Sequence, residues 1–186
     1  MTATEGFKRH GDHSYVATFA DSEKEVLLNL CEQIIELLAE RQDHGHDDPL
    51  AAMVGITSHD SPPEDEVLHR LLPNAYADQV DASEFRRYTE ATLRQKKQAH
   101  AISMRIHLKS SDDGTVDLDH DNANAWLGAI NDIRLALGVR LDIGVEKDAK
   151  PQHEKYELMV ESDPMKAVYA VYAWIGWLQE SLLKLL

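Results

Sequence analysis

The chain has 186 residues and a formal net charge of −14, which is length enough for one domain to bury a core without metal or disulfide staples. The negative charge excludes wholesale electrostatic attachment to nucleic acid or to an anionic membrane. A single cysteine, Cys31, excludes an intramolecular disulfide.

The polar N-terminus lacks the apolar run of a secretory leader, and residues 1–13 are expected to be disordered. Overlapping it, residues 7–19 read as two short strands about a Gly11–Asp12 turn. Residues 22–41 read as the first helix. Ser22 and Glu25 have capping-box spacing, and Leu27, Cys31, Ile34 and Leu38 belong to a wide apolar face. A thiol set in that face is expected to behave as a small hydrophobe.

Residues 42–48 read as a linker, after which Asp48 and Pro49 open a short helix through Val54. Ser61-Pro-Pro-Glu64 repeats the capping logic and predicts a helix ending near Leu72. The longest helix is predicted over 81–109, opened by Asp81. Residues 110–118 form a loop with room for one short strand, and a further helix covers 119–141. Residues 142–162 read as an irregular connection. Asp163 and Pro164 then open a helix to the end of the chain. The expected fold is mainly α, a single-domain helical bundle spanning 1–186 with a small N-terminal β element.

The long helix is two-sided. At about 100° per residue, Phe85, Tyr88, Thr92, Ala99, Ser103 and Ile106 share one side. Arg86, Arg87, Arg94, Lys97 and Arg105 fall opposite. The segment has seven basic and three acidic residues, so a basic stripe crosses an acidic protein. That stripe reads either as a solvated face or as a docking surface for a partner. The 119–141 helix carries an apolar stripe of Trp126, Ile130, Ile133, Leu137 and Leu141. Arg134 sits beside it and needs a partner if desolvated, and an ion pair with Glu84 is expected. The C-terminal helix is apolar over most of its circumference. It therefore reads as central in the core, or as a homodimer contact.

Two clusters could hold a metal. His44 and His46 lie among aspartates on the linker, and Glu66 and His69 have helical spacing. Each reads more simply as linker or surface, so no metal or cofactor is expected. The chain has no G-x-S-x-G elbow, P-loop or dinucleotide fingerprint, so no enzyme is expected. The apolar stretches are interrupted by charge, which argues against a membrane span and for a cytoplasmic protein.

Three segments carry a family resemblance: ASEFRRYTE at 82–90, WLGAINDIRLALGVR at 126–140 and YAWIGWLQESL at 172–182. RLLPNAY at 70–76 adds to them. Over about residues 15–186 they resemble an actinobacterial domain-of-unknown-function family, some of whose members are AosR-type oxidative-stress transcriptional regulators. The resemblance implies a non-enzymatic, stress-linked regulatory protein acting through protein–protein contacts, with transcription machinery as the expected partner. A metal-binding protein and a direct DNA binder are the alternatives. A disulfide switch needs two cysteines, and this chain has one.

Overall fold

The computed structural model describes residues 5–11, 14–39, 61–143 and 150–186. The predicted 49–54 helix and the candidate ligands His44 and His46 lie outside the described residues.

Three strands and six helices are present among the described residues. β1 (Lys8–His10) pairs antiparallel with β2 (Ser14–Thr18), as the turn signal predicts, and β1 falls inside the stretch expected to be disordered. The sequence-distant β3 (Thr115–Leu118) joins β2 on its other side, with Tyr15 opposite Leu118 and Ala17 opposite Val116. These four residues are buried, while Val16 and Thr18 alternate outward, the period-2 pattern of a half-buried sheet. Gly114 makes the junction possible. Its φ is +76°, and a Cβ there would sit 2.2 Å from the carbonyl oxygen of Phe19. Gly114→Ala should therefore cost about 1–3 kcal/mol for its backbone conformation alone, and more for the clash. A thermal melt should fall by at least about 4 °C, and an unchanged melt would show that the strand junction relaxes freely.

The helices are α1 (Asp21–Ala39), α2 (Glu66–Leu71), α3 (Gln79–Ser110), α4 (His120–Arg140), α5 (Lys150–Glu157) and α6 (Pro164–Leu183). Their starts follow capping chemistry, though not always at the expected residue. α1 begins one residue before Ser22, and Glu23, not Glu25, reaches back to the amide of Ala20 at 2.8 Å. Asp65 caps α2 in place of Ser61, and Asp78 caps α3 in place of Asp81. Asp119 caps α4 and Asp163 caps α6, with Pro164 in its first turn. The predicted irregular connection contains α5, whose Tyr156 is buried and donates to the Leu141 carbonyl at 3.1 Å.

α4 is the axis of the packing, lying against α3, α6 and α2. Its predicted stripe Trp126, Ile130, Ile133, Leu137 and Leu141 is buried throughout. Trp126 joins the helices to the sheet, with ring centroids 5.6 Å from Phe7 and 6.0 Å from Phe19, and its Nε1 donates to His107 at 3.2 Å. α4 ends in a left-handed turn at Asp142, where the Ile143 amide donates back to Gly138 at 2.8 Å, a Schellman-type cap. In α6, Tyr172, Ile175, Leu178 and Leu182 are buried within the chain, while Trp177 and Leu183 remain exposed. No helix among the described residues is long and apolar enough to cross a membrane.

Candidate docking surface on the long helix

α3 is 32 residues long, and it packs inside-out relative to the sequence expectation. The side turned into the protein runs Ala82, Arg86, Glu90, Arg94, Ala101, Met104 and Leu108, all buried. Its C-terminal half is an ordinary apolar face. Its N-terminal half buries charge.

Glu90 is the centre of that charge. One carboxylate oxygen accepts from Arg86 at 2.5 Å and the other from Arg94 at 2.9 Å. The arginines also reach other elements. Arg94 donates to the Leu38 carbonyl in the last turn of α1 at 2.9 Å. Arg86 donates to the Leu72 carbonyl at the end of α2 at 3.1 Å and to Asn74 at 2.7 Å. Helix ends leave carbonyls that no helical amide reaches, and they carry the negative end of the dipole. Two guanidiniums satisfy them here, and Glu90 offsets part of the charge.

This corrects the docking stripe. Arg86 and Arg94 are 5% and 8% exposed and are engaged within the fold. Lys97 is held at 2.6 Å by the buried Asp132 of α4, and Arg105 at 2.9 Å by Glu32 of α1. Burial pushes the Asp132 carboxyl up, against the pull of Lys97, and burial pushes the nearby His100 imidazole down. The His100 ring packs where a Cβ on Gly128 would stand, so these charges fix α3 onto α4. Arg87 is the member of the predicted stripe that lies exposed.

The expected Glu84–Arg134 pair is also corrected. Arg134 donates to Gln179 of α6 at 3.1 Å, and its guanidinium carbon lies 5.7 Å from the Tyr172 ring centroid. Glu84 is exposed near the start of α3. Lys97 opposite Asp132 sets the antiparallel register of α3 on α4. Arg134 then stands level with about residue 95, roughly 16 Å along the axis from Glu84 at 1.5 Å per residue. Glu66 and His69 are both exposed on α2, and no group of three metal-ligating side chains occurs among the described residues.

The aromatic side of α3 faces outward. Phe85 is 43% exposed, Tyr88 54% and Ile106 57%. Tyr76 packs edge-on against Phe85 with centroids 5.5 Å apart. Beside them lies a groove of about 220 Å³ whose walls include Leu72, Pro73, Ala75, Phe85 and Leu93. Exposed aromatic and aliphatic side chains beside a shaped groove are the composition of protein contacts. Cys31 is distant in character from this surface: it is fully buried, and burial pushes its thiol up to about 12.

The sequence matches the family described as Domain of unknown function (DUF2017) over residues 1–186. The chain belongs to this family. Among DUF2017-related proteins, it is 32% identical over 185 residues to the oxidative stress regulator AosR of Mycobacterium tuberculosis, covering 91% of this chain and 81% of that protein. The protein of the same name from Mycobacterium bovis is similar to the same degree, 32% over 185 residues with the same coverage. No solved structure matches the chain.

Proposed function

We propose that this protein is a non-enzymatic, cytoplasmic regulator in a stress response, acting by docking onto a protein of the transcription machinery. The observation that carries the reading is the outward-facing aromatic surface of α3 around Tyr76, Phe85 and Tyr88. Exposed rings forgo the burial that normally removes apolar surface from water on folding, and a contact that covers them recovers it. The stress link follows from similarity to relatives named as oxidative stress regulators.

The test replaces Phe85 and Tyr88 together by serine. Crosslinked capture from the native host, with and without oxidant, should enrich an RNA polymerase subunit or sigma factor on the wild-type protein. The double variant should lose that enrichment at least tenfold while its melt moves by only a few degrees. Equal enrichment by both proteins would move the contact elsewhere. Enrichment of no transcription component would sink the transcriptional reading.

A further inference from the structure

The outer side of α3 has an order that a generic sticky patch lacks. Phe85, Tyr88, Thr92, Gln95, Ala99, Ile102 and Ile106 follow one another at alternating steps of three and four. All but the half-buried Ile102 are exposed. This is the spacing of a coiled-coil seam, directly opposite the inward line from Ala82 to Leu108. From Phe85 to Ile106 it runs roughly 32 Å at 1.5 Å per residue, so its natural occupant is another long helix.

The chemistry along the seam says which helix. The N-terminal end is aromatic and acidic, with Asp81 and Glu84 exposed beside Phe85 and Tyr88. The C-terminal end is aliphatic and basic, with Lys109 exposed beside Ile102 and Ile106. A second copy of the same helix, laid antiparallel, matches every one of these. Rings meet isoleucines, Asp81 and Glu84 meet Lys109, which is 60% exposed and reaches Glu32 of its own chain only at 3.4 Å, and the two macrodipoles oppose favourably. A parallel copy sets acid on acid and base on base. Lys96 lies near the dyad, but its solvent exposure leaves the approach of two such charges largely screened.

We infer that α3 pairs antiparallel with α3 of a second copy of this chain, through Phe85, Tyr88, Ile102 and Ile106, about a two-fold axis near Gln95. The pairing is measurable on the purified protein and stands or falls apart from the transcriptional reading. Thr92 and Gln95 at its centre make it a weak, concentration-dependent contact. It also covers the rings proposed to meet the regulatory partner, so self-pairing and partner binding exclude one another.

Sedimentation equilibrium over a hundredfold concentration range tests it. The wild-type chain, 21.0 kDa, should move toward twice that mass at the high end. The variants Asp81→Lys/Glu84→Lys and Lys109→Glu should each associate at least tenfold more weakly on their own. Mixed in equal amounts they should regain wild-type association, because each then meets the opposite charge at both ends. Far-UV circular dichroism checks that both remain folded. A wild-type protein monomeric throughout overturns the pairing. So does a dimer that both variants leave unchanged, which would place the contact on another surface, α6 included.

Discussion

Replacing Glu90 by alanine should lower the melting temperature by about 6–20 °C. Removing one partner of a buried ion pair typically costs about 3–5 kcal/mol, because the charge left behind stays desolvated without its counter-charge. In a chain of this length each kcal/mol moves the midpoint by about 2–4 °C. Here two arginines lose their carboxylate at once. Their Nε atoms are already buried without hydrogen-bond partners, so little spare solvation is at hand. The contrast is Glu180 with Lys184 on α6, a 2.8 Å pair whose side chains are more than half exposed. Glu180→Ala should move the melt by no more than about 2 °C. Equal, small effects of the two substitutions would show that the α3 network is solvated after all.

A second arm separates charge from shape. Replacing Arg86 and Arg94 by methionine and Glu90 by leucine together removes every charge and keeps most of the volume. Such swaps are often neutral or stabilising where a buried ionic group interacts only with itself. This network also holds the last carbonyls of α1 and α2, and an orphaned buried carbonyl costs about 1–3 kcal/mol. The triple variant should therefore melt below wild type but above Glu90→Ala. A triple variant as stable as wild type would mean that the helix ends find water or other donors.

The same network explains where the sequence is legible and where it is not. The α4 stripe is readable because its five large apolar residues have nowhere else to go, and the aspartate caps of α4 and α6 are local chemistry. α3 is misread because an apolar set and a basic set share its circumference. Periodicity reports two opposite faces without saying which is inside. That choice depends on the carbonyls of Leu38 and Leu72, which lie 56 and 14 residues from the arginines that reach them. The Glu84–Arg134 expectation fails for a related reason. Helical periodicity fixes a side but leaves the axial register open, and Lys97 with Asp132 sets it. α5 is short and polar, and among its described side chains Tyr156 is the buried one, so it leaves almost no periodic signal.

Cys31 should resist thiol reagents and oxidants in the folded protein. Its thiol is raised from an ordinary 9.0 to about 12, first by burial, then by the neighbouring Glu32 charge, with Arg105 pulling the other way. Tenfold per unit, the reactive thiolate is then about a thousandfold scarcer at neutral pH than for an exposed thiol. Labelling by a chromogenic disulfide should proceed only as fast as the protein opens, and hydrogen peroxide should leave the mass of the peptide that carries Cys31 unchanged. The same shift has a stability signature. Below about pH 9 the thiol is protonated in both states and costs nothing. Above it the unfolded thiol ionises while the folded one does not, so the unfolded state binds fewer protons and stability falls as pH rises toward 12. The slope is about 1.4 kcal/mol per pH unit, and the difference between wild type and Cys31→Ala isolates it from lysines and tyrosines. Rapid labelling of the folded protein, or the same loss of stability with rising pH in the two chains, would refute the burial argument.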